Sequence, residues 1–199
     1  MASTASDRAV ATSAATLEIS AKVVIAGGFG VGKTTLVRAV SDIPLLGTEA
    51  QMTEASAYVD ELGLIPEKTS TTVAMDFGRL ALEQGLLLYL FGAPGQDRFW
   101  FMWDDLVRGA IGAIVLADTR RLEASFPAIN YFEQRRDIPY LVAVNRFDGR
   151  LIHPLDQVRE ALELDPAVPL ADCDARERTD VLTVLRDVIR HALSTELAS

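Results

Sequence analysis

Residues 27–34 read GGFGVGKT, and this octapeptide constrains the chain more than any other segment. It matches the phosphate-binding pattern G-x-x-x-x-G-K-[ST], with an apolar run before it at 22–26 and a helical pattern after it at 36–40. Glycines let the main chain fold into a nest of N–H groups, and the first turn of a helix adds unpaired N–H groups and a positive dipole end. The order of strand, glycine loop and helix therefore predicts a polyphosphate-binding site. The alternative is a flexible glycine-rich turn, in which case the full match to the phosphate-binding pattern would be a coincidence.

The same pattern gives individual residues a role. Lys33 is expected to reach the β- and γ-phosphates of a nucleotide and to act in catalysis, and the Thr34 hydroxyl is expected to ligate Mg²⁺. The rest of the predicted phosphate cradle is Gly28, Gly30, Val31, Gly32 and Thr35.

Composition limits the classes of function. The 199 residues fit one domain with a sizeable core, and a net charge of −9 argues against broad contact with nucleic acid or anionic lipid. The single cysteine, Cys173, fits a reducing cytoplasm. We expect a flexible N-terminal segment over 1–19, rich in Ala, Ser and Thr, and one nucleotide-binding domain over 20–199. Because we find no signal peptide, lipidation signal or membrane-spanning run, we expect any recruitment to a membrane to need a partner.

Alternating strand and helix patterns predict an α/β fold, with a mostly parallel six-stranded sheet and helices on both faces. Unbroken apolar runs such as 113–117 and 141–144 are typical of strands buried on both faces. The runs 72–81 and 85–91 are separated by a short turn and are expected to form an antiparallel hairpin at one edge. The other predicted strands are 22–27, 112–118, 140–145 and 168–173, and the predicted helices are 33–42, 97–109, 122–135, 155–163 and 176–195. The segment 43–71 has no strong pattern, and connections of that length are usually functional.

Ligands of such sheets bind at the carboxyl ends of the strands. Residues 145–148, NRFD, follow a buried strand there and resemble the guanine-specificity motif N-K-x-D of small GTPases. Guanine offers an N1–H and an amine, and the Asp148 carboxylate can accept both hydrogen bonds, whereas adenine lacks these donors. We expect Asn145 to tie the base loop to the phosphate loop, and Arg146, in place of Lys, to stack on the base. The alternative for Asp148 is an exposed turn with a helix-capping side chain.

Two further segments carry the same resemblance. Residues 92–97, GAPGQD, resemble the switch II motif, which implies that the Gly95 N–H meets the γ-phosphate and that Gln96 orients the attacking water in catalysis. Residues 72–77, TVAMDF, resemble the end of switch I in Rab-like proteins, which implies that Thr72 is a second Mg²⁺ ligand. The rivals of Thr72 for this role are Thr69, Ser70 and Thr71.

Residues 173–176, CDAR, resemble the last base-contacting motif of these proteins, which implies a contact from the Ala175 N–H to guanine O6 and adds Arg176 to the site. Over about 21–193 the chain resembles the Ras-like small GTPases, and within them the bacterial group encoded in actinobacterial conservon clusters. The resemblance implies the P-loop NTPase fold, GTP/GDP and Mg²⁺ as ligands, and a cytoplasmic GTP/GDP switch. It also implies protein partners, namely a roadblock-type protein and a sensor-kinase-like protein.

Two positions depart from the pattern of the resembled GTPases. Gly92 stands where most of them carry the aspartate that holds Mg²⁺ through a water, and Asp118 after the next strand is a candidate substitute, although a capped strand end is the favoured interpretation. Phe29 stands in the phosphate loop where a small glycine is usual. A phenyl ring there should crowd Gln96 and an inserted arginine, so hydrolysis is expected to be slow.

Three functions stay open from the sequence. The leading one is a slow GTPase switch, and the second is a guanine-nucleotide-binding module with negligible hydrolysis, which Gly92 and Phe29 motivate. The third is an ATP-using P-loop protein, against which residues 145–148 argue. The aromatic run FWFMW at 99–103 either packs in the core or anchors a protein partner.

Overall fold

The computed structural model describes residues 19–52 and 71–198, and their strands form one sheet. Its strands are β1 (Ile19–Ala26), β2 (Leu46–Met52), β3 (Thr71–Ala81), β4 (Leu86–Gly92), β5 (Gly112–Ala117), β6 (Tyr140–Asn145) and β7 (Leu170–Cys173). The helices are α1 (Lys33–Val40), α2 (Trp103–Val107), α3 (Phe126–Gln134), α4 (Leu155–Ala161) and α5 (Arg178–Ala198). Short 3₁₀ segments lie at Glu83–Gly85, Asp97–Met102, Leu122–Ser125 and Phe147–Gly149.

The strand order in the described part of the chain is β2-β3-β4-β1-β5-β6-β7. Strands β4, β1, β5, β6 and β7 run parallel, while β3 is antiparallel to both β2 and β4. The parallel strands therefore end at one edge of the sheet. The phosphate loop, the NRFD loop and the CDAR loop follow β1, β6 and β7 at that edge.

Helices cover both faces because the central strands are apolar on both sides. On one face, Val23 and Ile25 of β1 pack in a buried cluster with residues of α1 and α5. On the other face, Val24 and Ala26 pack in a cluster with residues of α2, α3 and α4. Every residue of β5 and β6 is buried, as the unbroken apolar runs predicted. The α/β fold with a mostly parallel sheet is confirmed.

The sheet has one strand more than the six predicted, all of which are present. β2 at Leu46–Met52 pairs antiparallel with β3 and lies inside the segment that the sequence left without a pattern. Its sequence, LGTEAQM, is mostly polar or small, and an edge strand needs little apolar surface because only one of its sides is paired. The alternation of apolar residues by which the other strands are recognised is therefore missing.

Two predicted helices are shorter than expected because each begins as a 3₁₀ segment. The predicted helix 97–109 is 3₁₀ over Asp97–Met102 before α2, and 122–135 is 3₁₀ over Leu122–Ser125 before α3. Pro127 has no N–H to donate and fits only the first turn of a helix, which is where it lies in α3.

The expected N-terminal segment 1–19 lies outside the described residues except for Ile19, the first residue of β1. Among the helices that are described, none has both the length and the apolar character needed to span a bilayer.

Candidate functional site

A cavity of about 370 Å³ opens at the edge of the sheet where β1 and β4 end. It has the size of a small-ligand site, and it brings together the phosphate loop, the start of α1, one residue of β3 and the turn after β4. The lining residues are Phe29, Gly30, Gly32, Lys33, Thr34, Thr35, Asp76, Gly92, Ala93, Pro94 and Gly95.

Glycine is required in the phosphate loop by both conformation and space. Gly27 and Gly32 have φ angles of +126° and +111°, which L side chains rarely adopt. A Cβ at Gly27 would lie 2.3 Å from the Leu116 carbonyl oxygen, and a Cβ at Gly32 would lie 2.6 Å from Asn145 Nδ2. The loop therefore packs main chain directly against β5 and the end of β6. This is the close approach that a nest of N–H groups needs.

Lys33 is buried, with 9% of its surface exposed, and its ammonium donates to the carbonyl oxygens of Gly27 (2.8 Å) and Gly28 (2.7 Å). Burial lowers the pKa of Lys33 to about 8, and the negative charge of Asp76 opposes part of this shift. Gly95 packs against the same group, because a Cβ there would lie 2.6 Å from Lys33 Nζ. The structure thus joins Lys33 and Gly95, two of the predicted site residues, at one point of the phosphate loop.

Asp76 is the carboxylate that the sequence analysis missed. Its Oδ2 accepts a hydrogen bond from the Thr34 hydroxyl at 2.5 Å, and in the β3–β4 ladder it lies directly opposite Gly92. Among the described residues that line the cavity, Asp76 is the only acidic one. The sequence did contain a hint of this role: Gly92 replaces the usual metal-binding aspartate, and Asp76 lies on the strand predicted to precede it. The hint could be interpreted only once the register between the two strands was known.

A hydroxyl and a carboxylate in this cavity fit Mg²⁺, which prefers hard oxygen ligands. No cluster of three or more His, Cys, Asp or Glu that could hold a metal alone occurs in 19–52 or 71–198. Mg²⁺ at Thr34 and Asp76 would therefore take its other ligands from phosphates and water, as it does in phosphate-binding sites generally. Asp118, the substitute suggested by the sequence, is 3% exposed, and its carboxylate pairs with Arg120 at 2.9 Å.

Asn145 joins the phosphate loop to the loop after β7. It is 7% exposed, its Nδ2 donates to the Val31 carbonyl oxygen at 2.9 Å, and its Oδ1 accepts from the Ala175 N–H at 3.1 Å. The link from the base loop to the phosphate loop is the one expected from the sequence. It also occupies the Ala175 N–H, so the contact with guanine O6 that the resemblance implies would have to share this bond.

Asp148 lies in a strained turn, and its charge acts at longer range on Arg120 and Arg176. Its φ of 60° and ψ of 23° are left-handed, and the residue is exposed. Arg120 lies on one side, with its guanidinium carbon 3.6 Å from the centre of the Phe147 ring. The Asp118 hydrogen bond and, at longer range, the charge of Asp148 raise the pKa of Arg120.

Two arginines of the predicted base site are held by acidic side chains. The Arg146 guanidinium pairs with Asp180 of α5 and, at 3.2 Å, with Asp172 of β7. The expectation that Arg146 stacks on the base stays a prediction, and these ion pairs would have to hold while it does so. Asp172 and Asp180 are distant from Arg146 in the sequence, so no local pattern predicts these ion pairs. Arg176 donates to both carboxylate oxygens of Asp174, and this hydrogen bonding lowers the pKa of Asp174 to about 2.

The turn after β4 carries Gln96, which is partly exposed and precedes the 3₁₀ segment at Asp97–Met102. The indole N–H of buried Trp103 donates to the Pro94 carbonyl oxygen at 3.3 Å and so anchors this turn to the core. Trp100 and Phe101 remain 40% and 58% exposed, while the other aromatics of 99–103 are buried. The aromatic run therefore serves both as core and as exposed surface.

The rim of the phosphate cavity is formed in part by Phe29, which is 67% exposed. The Arg121 guanidinium donates to the Phe29 carbonyl oxygen at 3.0 Å. Gly28 packs against Ala124, because a Cβ at 28 would lie 2.8 Å from Ala124 Cβ. The segment after β5 therefore supports the outer side of the phosphate loop.

Thr72 lies in β3, where its backbone pairs with Gln51 of β2. The side chains of 71–74 lie outside the described part of the structure, as do Thr69 and Ser70 altogether. The expectation that one of these hydroxyls ligates Mg²⁺ stays a prediction.

A larger cavity, of about 440 Å³, lies at the opposite edge of the sheet, between the start of β5 and α5. Apolar side chains such as Ile111, Ile189 and Leu193 line much of it, and it contains none of the predicted site residues. Size alone therefore does not identify the functional site in this chain.

Comparison with known proteins agrees with a nucleotide site in the smaller cavity. A family profile described as "Conserved hypothetical ATP binding protein" matches residues 25–195. An uncharacterized protein from Methanocaldococcus jannaschii is 30% identical over 129 residues, which cover 64% of this chain and 70% of the relative. Among solved structures, the cytosolic domain of the T. maritima FeoB iron transporter, in its apo form, matches with a TM-score of 0.60 and 16% identity.

The FeoB match covers 87% of this chain and 64% of that chain, so the present chain spans less than two thirds of its structural neighbour. At this identity the likeness concerns the fold alone. The family profile, in contrast, covers nearly all of the sheet and the whole phosphate loop. The chain belongs to this family of P-loop nucleotide-binding proteins, described as conserved hypothetical ATP-binding proteins.

Proposed function

We propose that the protein binds GTP and GDP, hydrolyses GTP slowly, and acts as a switch between the two states. The observation that carries this proposal is the pair of hydrogen bonds made by Asn145, to Val31 of the phosphate loop and to Ala175 of the last loop. These bonds fix the loop that bears Asp148 relative to the phosphate cradle. One ligand with a purine base at one end and phosphates at the other suits that spacing.

The base end supports guanine because Asp148, in the loop after β6, is exposed and its ionised carboxylate has acceptor oxygens only. A carboxylate accepts bonds from both the N1–H and the amine of guanine, and adenine would leave it unpaired. The family description names ATP, and this makes an adenine nucleotide the second candidate. The two candidates differ in what Asp148 does, so a substitution there separates them.

The phosphate end supports hydrolysis by position and charge. Lys33 would contact the β- and γ-phosphates, the Gly95 N–H the γ-phosphate, and Gln96 the attacking water. Thr34 would hold Mg²⁺, which when bound neutralises charge on the phosphate oxygens. Water attacks the γ-phosphorus, the bond to the β–γ bridging oxygen breaks, and GDP and inorganic phosphate are released.

Phe29 supports a slow rate. Phe29 lines the phosphate cavity and is largely exposed, and we expect its ring to restrict the room for Gln96 and for an arginine supplied by an activating protein. We therefore propose that an activator of the Ras type does not stimulate this protein. If hydrolysis is negligible, the protein is a guanine-nucleotide-binding module instead, and single-turnover hydrolysis of GTP at saturating Mg²⁺ distinguishes the two.

Competition against a fluorescent GDP analogue tests the choice of nucleotide. GTP should displace the analogue, and ATP should not do so at concentrations about 100-fold higher, since a bound adenine would cover the Asp148 carboxylate without donating a hydrogen bond to it. Asp148→Asn should move the preference toward XTP, because its amide can donate to the carbonyl that xanthine has in place of the amine. Asp156→Asn, an exposed aspartate on α4, is the matched control. Equal displacement by ATP, or an Asp148 variant without effect, contradicts the proposal.

A protein effector is part of the proposal. The exposed Trp100 and Phe101, directly after the switch II turn, support a partner that recognises the nucleotide-dependent shape of this turn. The conservon-type resemblance suggests roadblock-type and sensor-kinase-like proteins as partners, and a cytoplasmic location with recruitment to the membrane by one of them. Pull-down with each nucleotide state, repeated with Phe101→Ser, tests this part.

A further inference from the structure

We infer that Asp76 on β3 supplies the carboxylate of a magnesium site from which β4 has lost its own. In the GTPases that the chain resembles, the aspartate at the position of Gly92 holds Mg²⁺ through a water. In this chain the nearest equivalent carboxylate comes from the neighbouring strand. The inference rests on the proposed nucleotide binding.

Strand register brings Asp76 to the required place. Asp76 and Gly92 are partners in the antiparallel ladder between β3 and β4, so both lie at the edge of the sheet beside the phosphate loop. The Asp76 carboxylate reaches the hydroxyl of Thr34, the predicted Mg²⁺ ligand, at 2.5 Å. Its charge also acts on the Lys33 ammonium within the same cavity. The carboxylate and the hydroxyl therefore meet in the cavity that the Lys33 ammonium also lines.

Glycine at position 92 is the steric condition for this arrangement. A Cβ at Gly92 would lie 3.0 Å from Asp76 Cβ and 3.2 Å from Asp76 Oδ2. An aspartate at 92 would crowd Asp76 and place two carboxylates side by side, where they repel each other. Each of the two strands can carry the carboxylate, but both together are unfavourable. The missing aspartate and the presence of Asp76 thus have one explanation.

Asp118 does not compete for this role. Its carboxylate is held by Arg120 through the side chain and through the main-chain N–H, and it is not among the residues that line the phosphate cavity. A carboxylate already neutralised by a guanidinium is a poor partner for a hydrated cation, since the cation must displace the arginine.

The test is to move the carboxylate back. Asp76→Asn keeps the shape of the side chain and removes its charge, and the double variant Asp76→Gly/Gly92→Asp returns a carboxylate to β4 with the obstructing Cβ removed. Asp105→Asn, an exposed aspartate on α2, controls for the loss of one charge. Mn²⁺ binding to each GDP-loaded protein is measured by electron paramagnetic resonance, and release of fluorescent GDP is measured with Mg²⁺ and with EDTA.

Asp76→Asn should weaken Mn²⁺ binding about 10- to 100-fold, as loss of a group that orients metal ligands does. It should also reduce the slowing of GDP release by Mg²⁺, while release in EDTA stays within about threefold of the parent. The double variant should regain most of the Mn²⁺ affinity, and Asp105→Asn should behave as the parent does.

Parent-like Mn²⁺ binding by a folded Asp76→Asn protein overturns the inference and leaves the proposed function intact. If Asp76→Asn does not fold, the double variant decides: recovery of Mn²⁺ binding supports the inference, and a folded double variant without it overturns the inference. If the parent binds no guanine nucleotide, the proposed function fails and the inference fails with it.

Discussion

The proposed nucleotide site has a phosphate half, the loop at 27–34, and a base half, the loops at 145–148 and 173–176, and different forces hold the two halves in shape. In the phosphate half, main chain packs on main chain, and a Cβ at Gly27 would lie only 2.3 Å from the Leu116 carbonyl oxygen. In the base half, the loops are held by ion pairs, such as those of Arg146 with Asp172 and Asp180. A loop packed main chain against main chain has no room for a larger side chain, so almost any substitution there is disruptive. Loss of one ion pair, in contrast, weakens a loop only in part. Five predictions test this contrast, in order of decreasing effect.

The largest effect is expected from Gly32→Ala, in the phosphate half. The new Cβ would require a strained φ and would lie 2.6 Å from Asn145 Nδ2. Strain and clash together should lower nucleotide affinity about 100-fold or more. Gly30→Ala is the matched comparison, because it has a φ of +74° but no atom closer than 3.5 Å to the new Cβ. Isothermal titration with GDP measures both variants, and equal losses would show that space is not the deciding factor.

Asn145→Ala breaks the connection between the two halves. It leaves the Val31 carbonyl and the Ala175 N–H without their side-chain partner at buried positions, so the free energy of unfolding should fall by about 2–4 kcal/mol. Asn130→Ala, at an exposed position on α3, should change it by less than about 0.5 kcal/mol. Urea denaturation followed by circular dichroism gives both values. A small loss for Asn145→Ala would mean that the halves hold their positions independently.

Nucleotide affinity should depend on pH through Lys33. Its pKa of about 8 in the free protein lies below the ordinary value of 10.5 because of burial, and phosphates favour the charged form. Affinity should therefore be constant below pH 8 and fall above it, approaching tenfold per pH unit. Lys33→Arg stays charged throughout, so its affinity should lack this slope. A parallel slope in both proteins would assign the effect to another group.

The contribution of Lys33 to folding stability should change with pH in the opposite direction to its contribution to nucleotide affinity. Between pH 8 and 10.5 the unfolded chain keeps the proton that the folded chain has released. Stability from this group therefore rises with pH across that window. Comparison of the urea midpoints of the parent and Lys33→Arg at each pH isolates it.

The smallest effect is expected in the base half, from Arg120→Ala. This change removes the guanidinium from the Phe147 ring and from the Asp118 carboxylate, and because Arg120 is half exposed, water already weakens these contacts. Affinity for GDP should fall by about two- to fivefold. Arg108→Ala, which removes an exposed ion pair on α2, should leave the affinity unchanged. A loss above about 100-fold would mean that the base half is as intolerant as the phosphate half.

The contrast also explains what the sequence could and could not predict. The phosphate loop was predictable because its glycines, Lys33 and Thr34 are contiguous, and the six main strands because their apolar runs are local. Asp76 was missed because its position depends on antiparallel register with Gly92, which no short pattern encodes. The partners of Arg146 were missed because they are brought together only by β7 and α5. The strand β2 was missed because an edge strand can be largely polar.

The hydrogen bond from Trp103 to the Pro94 carbonyl gives the protein a built-in optical reporter. The sequence has two tryptophans, Trp100 and Trp103, and the second is buried with its indole N–H bound to the turn that we propose to sense the γ-phosphate. Any displacement of that turn changes the polarity around the indole ring. Replacing Trp100 by Phe leaves a single emitter, so the colour and intensity of its fluorescence should follow nucleotide exchange in real time without an attached dye.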